Sequence, residues 1–172
     1  MRCVFFDRDG IVNTSPGPGY VERLEDFHIQ PAFLEAAAIA RDRGYGIAIA
    51  TNQRGVARGF MSRQALDKIH ESLLDHLRAT GIPLLAIYCC THERNTCTCR
   101  KPQPGLLLQA AQEHDIDLAA SWMIGDNETD IEAGRRAGCR TILVNAAPPA
   151  NTRANHIIPD IAGLPNTLAT LL

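Results

Sequence analysis

The sequence predicts an α/β protein with a parallel sheet, because short apolar runs alternate with segments of helical pattern along its 172 residues. Most of the apolar runs end in a polar cluster. In open parallel sheets such clusters meet at the carboxyl edge of the strands, where sites form. The length fits one domain with a normal core, and no repeat or linker divides the chain. We therefore expect a single domain over residues 1–172.

Composition narrows the classes of partner. Hydrophobic residues make up 45% and charged residues 21% of the chain, as in ordinary globular proteins. The formal net charge of −2 lacks the basic excess that binding to nucleic acid or an anionic membrane requires. No apolar run approaches membrane-spanning length, and the first strand leaves no room for a signal peptide before it. We expect a cytoplasmic monomer with neither nucleic acid nor membrane as a partner.

The predicted strands are short and apolar. The first one, Cys3–Phe6, is a continuous apolar run of the kind that a strand buried on both faces shows. Four later runs have the same character. They predict strands at 45–50, 84–89, 122–124 and 141–144. Residues 145–165 are rich in Pro, Asn and Ala, and this composition predicts a loop.

Helices are predicted between the strands. Pro31 in a first turn and Gly44 after a last turn bound a helix over residues 31–43. Ser62 is a candidate N-cap for a longer amphipathic helix that reaches about residue 80. Three further helices are expected at 104–114, 131–137 and 164–172.

Two carboxylates follow the first strand. Asp7 and Asp9 are two positions apart, and Gly10 allows the backbone to turn directly after them. Anions this close repel each other unless a cation lies between them or one is protonated. Mg²⁺ suits the position, because it takes oxygen ligands and keeps open sites for water and phosphate. A polar Asp/Gly turn is also common at a strand end, so this motif alone leaves both interpretations open.

Two further polar motifs suit phosphate binding. Thr51 follows the second strand, and its hydroxyl would face the same crevice as Asp7 as a neutral donor to a phosphoryl oxygen. Lys101 and its neighbour Arg100 can neutralise an incoming phosphate, which arginine binds bidentately. The structural alternatives are a Thr-Asn turn and a solvated basic pair.

The fourth strand also ends in carboxylates. Asp126 follows it directly and would complete the metal site that Asp7 begins. Asp130 would brace this loop or cap the next helix, since Asp, Asn and Thr are all favoured at helix N-termini.

A loop rich in cysteine lies before Arg100. Cys90, His92, Cys97 and Cys99 supply three thiolates and an imidazole within ten positions. This is a complete tetrahedral zinc set with no position left for water, which indicates a structural ion. Free thiols or a redox disulfide remain alternatives, and Cys89 is an alternative ligand. Two other cysteines are expected in the core, Cys3 and Cys139.

The motifs D-R-D-G, T-N-Q, R-K-P and G-D-x-x-x-D occur in this order, and together they resemble the haloacid dehalogenase (HAD) superfamily of phosphohydrolases, as far as about residue 144. The loop C-x-H…C-x-C is similar to that of the branch that holds heptose bisphosphate and histidinol-phosphate phosphatases. The runs at 19–21, 52–53, 55–59 and 99–105 look more like the D-glycero-D-manno-heptose 1,7-bisphosphate 7-phosphatases. The resemblance implies a three-layer, doubly wound, Rossmann-like sheet with no large cap domain and with the zinc-binding loop as an insertion.

The resemblance also implies roles. Asp7 would be the nucleophile that forms an aspartyl-phosphate, and Asp9 the general acid and then the base. Thr51 and Lys101 would stabilise the transferring phosphoryl group. Catalytic Mg²⁺ would be held by the Asp7 carboxylate, the backbone carbonyl of Asp9 and Asp126. The residues implied in binding a small phosphorylated sugar are Gly19, Tyr20, Asn52, Arg54 and Arg100.

Three features depart from the pattern of the heptose enzymes. Arg54 stands where a small residue is usual, Asn127 replaces a basic residue, and the loop at 15–19 is longer and richer in Pro. They bear on the sugar and leave the catalytic chemistry unchanged. The alternatives are a histidinol-phosphate or other small-molecule phosphatase, a phosphoacceptor signalling domain, and a non-catalytic interaction module.

Overall fold

The computed structural model describes residues 1–172 and contains six strands and five helices. The strands are β1 (Cys3–Phe6), β2 (Gly46–Asn52), β3 (Ile87–Cys90), β4 (Trp122–Gly125), β5 (Arg140–Val144) and β6 (His156–Ile158). The helices are α1 (Pro31–Asp42), α2 (Arg63–Ala79), α3 (Gly105–His114), α4 (Glu128–Ala137) and α5 (Leu164–Leu171).

All six strands form one parallel sheet in the order β3-β2-β1-β4-β5-β6. The chain winds outward from β1 in one direction through β2 and β3, and in the other through β4, β5 and β6. The prediction of a doubly wound parallel sheet is therefore confirmed. The switch in winding direction leaves a crevice beyond the carboxyl end of β1, where such folds place ligands.

Helices cover both faces of the sheet, as predicted. Val4 and Phe6 project to the face where α1, α2 and α5 pack, whereas Cys3 and Phe5 project to the opposite face with α3. On that second face α4 approaches β4 closely, because a Cβ on Gly134 would lie 2.7 Å from the Cβ of Met123. Burial on both faces explains why β1 is a continuous apolar run. No large cap domain covers the carboxyl edge.

The prediction of a loop throughout residues 145–165 is wrong. β6 adds an edge strand at His156–Ile158, with His156 in register with Ile142 of β5. Only three residues long and largely exposed, β6 has no apolar run that would show it in the sequence. Its strand conformation depends on pairing with β5, and the backbone N–H of Asn145, directly after β5, continues this pairing to the carbonyl of Ile158 at 2.8 Å.

Several predicted bounds also shift. β2 continues through Thr51 and Asn52, because these residues pair with Cys89 and Cys90 of β3. β3 itself begins at residue 87 instead of 84. α4 begins three residues earlier than predicted, at Glu128.

No helix in the structure combines the length and the apolar character that crossing a membrane requires.

Candidate active site and cysteine cluster

A cavity of about 810 Å³ opens at the carboxyl edge of the sheet, beyond β1, β2 and β4. The predicted site residues that line it are Asp7, Asp9, Gly19, Tyr20, Asn52, Cys97, Arg100, Lys101 and Asp126. Thr51, which was expected to face the same crevice, is buried and is not among the lining residues. Asp7 directly follows β1, and its backbone N–H continues the ladder to the carbonyl of Ile124 at 2.9 Å. The ends of neighbouring parallel strands therefore bring together residues that lie more than one hundred positions apart.

Lys101 is the charged centre of the site. Its side chain is 1% exposed, and its Nζ donates to Asp7 Oδ1 and to the carbonyl of Ala50, both at 2.7 Å. The same Nζ pairs with Asp130 Oδ1 at 2.6 Å. Burial alone would lower the pKa of Lys101, but the charges of Asp130 and Asp7 more than reverse this and raise it. The ammonium group is therefore retained inside the protein.

Three buried or half-buried carboxyl groups lie around this single cation. Burial raises the pKa of Asp7 to about 7 against the opposing charge of Lys101. Burial and the charge of Asp7 raise the pKa of Asp126 to about 6. Burial also raises the pKa of Asp130, again against Lys101. One ammonium does not balance three carboxylates, so the site has an excess of negative charge when all are ionised.

The carboxylate oxygens of Asp7, Asp126 and Asp130 lie within 4.8 Å of one another. Oxygen ligands at this separation suit a hard divalent ion, and its charge would offset the excess. The donor set therefore fits Mg²⁺. Asp130 also fulfils the capping prediction, because its Oδ2 accepts from the backbone N–H of Asn127 at 3.1 Å. Its pairing with Lys101 was not predicted.

Two glycines leave space for the carboxylates of Asp126 and Asp130 to lie against the backbone. Gly10 has a φ of +93°, and a Cβ there would lie 2.1 Å from Asp126 Oδ2. A Cβ on Gly125 would lie 2.2 Å from Asp130 Oδ2. Any larger residue would have to displace a carboxylate, so both glycines belong to the construction of the site.

The Asp9 side chain lies outside the cluster of carboxylates, although it lines the same cavity. Its Oδ1 accepts from Arg8 and from Asn13 Nδ2 at 3.0 Å, and its Oδ2 accepts from Gln53 Nε2 at 2.8 Å. The side chain is 25% exposed. A metal contact through the backbone carbonyl of Asp9 stays a prediction.

Gln53 is a site residue that the sequence interpretation missed. Its Nε2 donates both to Asp9 Oδ2 and to Thr51 Oγ1, the latter at 2.9 Å, and the residue is buried. The signal was available in the T-N-Q motif, because residues two apart on an extended chain point the same way. Gln53 thereby joins the predicted acid–base residue to the predicted phosphate donor.

Asn52 fixes the main chain of Lys101. Its Nδ2 donates to the Lys101 carbonyl at 3.0 Å, and its Oδ1 accepts the Lys101 N–H at 3.1 Å. Beside it Arg100 is half-buried, and its buried Nη1 has no hydrogen-bond partner within the protein. That nitrogen is available to a ligand in the cavity.

Of the remaining predicted substrate residues, Gly19 and Tyr20 line the cavity and Arg54 does not. Tyr20 stacks on Phe60 with ring centroids 5.6 Å apart and lies over Gly55, where a Cβ would be 3.0 Å from its ring. Arg54 is outside the cavity lining, in an ion pair with Glu93 of the cysteine loop. Its role in substrate binding stays a prediction.

The four predicted zinc ligands converge. Cys97 Sγ lies 3.6 Å from that of Cys90 and 3.4 Å from that of Cys99, and His92 Nδ1 is 3.5 Å and 3.4 Å from Cys90 and Cys99. Tetrahedral zinc with ordinary Zn–S and Zn–N bonds holds its ligand atoms about 3.5–3.8 Å apart. The donor set therefore fits zinc. Cys89 lies outside this cluster.

The surroundings of Cys97 favour its thiolate. Burial opposes the charge, but the backbone N–H of Arg100 and the thiols of Cys99 and Cys90 donate to its sulfur and lower its pKa to about 7. The other two cysteines, Cys3 and Cys139, are buried in the core, as predicted.

A HAD-hydrolase-like family model matches residues 98–164. A D-glycero-beta-D-manno-heptose-1,7-bisphosphate 7-phosphatase of Photorhabdus laumondii is 38% identical over 181 residues, which cover 98% of this chain and 95% of the relative. A D-glycero-alpha-D-manno-heptose-1,7-bisphosphate 7-phosphatase of the same organism is 33% identical over 180 residues, covering 99% and 94%. A crystal structure of D,D-heptose 1,7-bisphosphate phosphatase from B. bronchiseptica, complexed with magnesium and phosphate, has a TM-score of 0.89 at 30% identity over the whole of both chains.

Proposed function

This chain belongs to the heptose-1,7-bisphosphate 7-phosphatase family of HAD-like hydrolases, and from that premise we propose that it removes the 7-phosphate of D-glycero-D-manno-heptose 1,7-bisphosphate. As a member of this family it is a phosphoric monoester hydrolase. The observation that carries the proposal is that Asp7 and Asp9, two residues apart, have different surroundings. Asp7 contacts Lys101 within a metal-competent cluster, whereas Asp9 lies beside that cluster with donors of its own.

We assign the covalent chemistry to Asp7. One of its carboxylate oxygens attacks phosphorus, the phosphorus–oxygen bond to the sugar breaks, and an aspartyl-phosphate forms. Lys101 stays charged beside Asp7 and stabilises the phosphoryl oxygens, with the Thr51 hydroxyl as a neutral donor.

Proton transfer falls to Asp9. In the first step the protonated carboxyl group gives its proton to the departing sugar oxygen. In the second step the carboxylate takes a proton from the water that attacks phosphorus, which releases phosphate and restores Asp7. Gln53 and Asn13 hold the Asp9 side chain at the cavity for both steps.

The metal proposals follow from the two donor sets. The carboxylates of Asp7 and Asp126 and the backbone carbonyl of Asp9 would hold Mg²⁺, which when bound offsets charge on the phosphoryl group. Asp130 keeps Lys101 and the start of α4 in place. The cysteine cluster would hold a structural zinc ion, because its four protein ligands leave no open position.

Substrate recognition rests on the polar character of the cavity. Arg100 offers Nη1, which has no partner in the protein, to an oxygen of the sugar phosphate. Tyr20 provides an aromatic surface in the lining of the same cavity. A small polyol with two phosphates has the negative charge and the hydroxyl groups that such a cavity binds.

The experiment is a measurement of phosphate release by the purified protein with and without Mg²⁺. The substrates are both anomers of D-glycero-D-manno-heptose 1,7-bisphosphate, histidinol phosphate and several hexose phosphates, with Asp9→Asn as the impaired control. We expect Mg²⁺-dependent release with a strong preference for one heptose bisphosphate. A preference for histidinol phosphate or a hexose phosphate would refute the proposed substrate. Release from none of them would refute the catalytic proposal.

A further inference from the structure

Arg8, between the two catalytic carboxylates, is completely buried. Arginine is rarely buried to this extent unless its charge is paired, because the guanidinium group loses its hydration. Nothing in the proposed chemistry uses Arg8, so its burial beside the reacting groups needs a separate explanation.

One side of the guanidinium group clamps Asp9. Nη2 donates to Oδ1 at 2.9 Å and to Oδ2 at 3.1 Å, and Nε donates to Oδ1 at 3.2 Å. Together with the amide groups of Asn13 and Gln53, five hydrogen bonds reach this one carboxylate. These hydrogen bonds reach both oxygens of the carboxylate and fix its orientation.

The other side of the guanidinium group is anchored by helix α2 and by Phe27. Arg8 Nη1 lies 3.4 Å from Nε2 of His70, and its guanidinium carbon is 5.7 Å from the centroid of the Phe27 ring. Arginine has donors only, so His70 must present a lone pair to it. Burial and the charge of Arg8 lower the pKa of His70 to about 4, which keeps the imidazole neutral and able to accept. The contacts with His70 and Phe27 thus fix the position of the Arg8 guanidinium group, so it does not move to another hydrogen-bond acceptor.

We propose that Arg8 is a positioning residue, which holds the Asp9 carboxylate at the cavity and away from the cluster of Asp7, Asp126 and Asp130. The inference rests on the proposed function, in which Asp9 exchanges protons with the substrate and with water. Asp9 is only two residues from Asp7 and is partly exposed, so without Arg8 only the amide groups of Asn13 and Gln53 restrain its carboxylate from turning toward the metal-competent cluster. A carboxylate bound to the cation no longer transfers protons.

The test is a double-mutant cycle between Arg8→Met and Asp9→Asn, measured with 4-nitrophenyl phosphate in saturating Mg²⁺. Arg8→Met removes the charge and the forked donors while keeping an apolar chain in the space. We expect it to lower kcat by 10- to 100-fold in the wild-type background, with KM changed less than threefold. In the Asp9→Asn background we expect it to change kcat less than twofold, because the group through which it acts is already gone.

A purely structural role would give a different result. It would lower kcat by the same factor in both backgrounds, and that result overturns the inference. Arg8→Lys keeps the charge without the fork, and we expect at least a tenfold loss of kcat from it. Full activity in Arg8→Lys would also overturn the inference. If Arg8→Met does not fold, as near-ultraviolet circular dichroism would show, Arg8→Lys takes its place in the cycle.

Failure of the proposed function is distinguishable from failure of this inference. A wild-type protein that hydrolyses no phosphomonoester refutes the function itself, and an Asp9→Asn variant with full activity refutes the role of Asp9. An active wild type with a strongly impaired but measurable Asp9→Asn variant and an additive cycle refutes only the role of Arg8.

Discussion

A single buried ammonium group faces two carboxylates in this site. Lys101 is 1% exposed and contacts Asp7 and Asp130, which are 12% and 2% exposed. Screening by water is weak at this depth, so each charge depends on the others for its solvation. Removal of one partner leaves the remaining charges uncompensated inside the protein, and this governs the effect of mutations here.

We expect Lys101→Met to lower both stability and turnover. The loss of one partner of a buried pair destabilises proteins by about 3–5 kcal/mol, and two carboxylates lose their partner here. The free energy of unfolding from urea titration at pH 7.5 without Mg²⁺ measures the first effect. Phosphate release in Mg²⁺ measures the second, and we expect a loss of at least about 1,000-fold. Arg63→Met, which removes an exposed partner of Asp67, is the matched control. Equal destabilisation by the two variants would contradict this account.

His70 gives the protein a pH dependence in mildly acidic solution. Burial and Arg8 lower its pKa from 6.5 to about 4, so the unfolded chain binds the proton more tightly than the folded protein. The neutral imidazole therefore contributes stability that is present above pH 6.5 and is lost as the pH falls toward 4. The expected loss between pH 7.5 and pH 5 is about 2 kcal/mol.

The measurement is the difference in unfolding free energy between the wild type and His70→Gln at several pH values. The carboxyl groups titrate in both proteins, so their contributions to the unfolding free energy cancel in this difference. We expect the wild type to lose about 2 kcal/mol relative to His70→Gln on going from pH 7.5 to pH 5. A difference independent of pH would show that His70 is not held neutral.

At the scale of elements, the cysteine loop depends for its order on its cluster of ligand side chains and on an ion pair. Residues 91–99 contain no helix or strand, and three of the four clustered ligand residues lie among them, with Cys90 at the end of β3. The ion pair between Arg54 and Glu93 joins this loop to the turn that follows β2. Because Arg94, Asn95 and Cys97 line the cavity, disorder of the loop would reach the substrate.

We expect Cys99→Ser to remove the metal and to weaken substrate binding more than catalysis. A structural zinc site contributes folding free energy directly, so the melting temperature should fall together with the bound zinc. Zinc content by elemental analysis and the separate values of kcat and KM measure these effects, and the expected change is mainly a higher KM. Cys89→Ser is the matched control, since Cys89 is close in sequence but outside the cluster. Zinc lost equally from both variants would refute the assignment of ligands.

Elements whose conformation follows from a local sequence pattern were predictable, whereas an element that depends on pairing with a neighbouring strand was not. β1 was predicted to the residue, because burial on both faces makes it continuously apolar. α2 was predicted with its cap, and the Ser62 Oγ accepts from the backbone N–H of Ala65 at 3.0 Å. β6 escaped because its strand conformation comes from pairing with β5.

The same distinction applies within the site. The two carboxylates after β1 and the one after β4 could be placed at the same edge because each follows a strand of a sheet predicted to be parallel. The contact of Lys101 with Asp130 and the clamp of Arg8 on Asp9 involve side chains whose directions no sequence period determines. Such contacts require the folded structure.

At the scale of the whole molecule, the site exists only when the sheet is complete. Asp7 follows β1, Thr51 lies in β2, and Asp126 follows β4, so their approach requires both winding directions of the chain to be folded. Repulsion among the buried carboxylates opposes that folding. An ion that binds only the folded arrangement relieves the repulsion, and its binding free energy then adds to the stability of the entire domain.

We therefore expect Mg²⁺ to raise the melting temperature of the wild type. At 100 times its dissociation constant a ligand adds about 2.7 kcal/mol, which for a chain of this length is a rise of about 5–10 °C. Asp126→Asn removes one ligand and part of the repulsion, so it should be at least as stable as the wild type without Mg²⁺ and should gain much less from Mg²⁺. Asp160→Asn, an exposed carboxylate far along the chain, controls for nonspecific effects of the salt. An equal rise in all three proteins would mean that the cluster does not bind the ion and that the repulsion is relieved by protons alone.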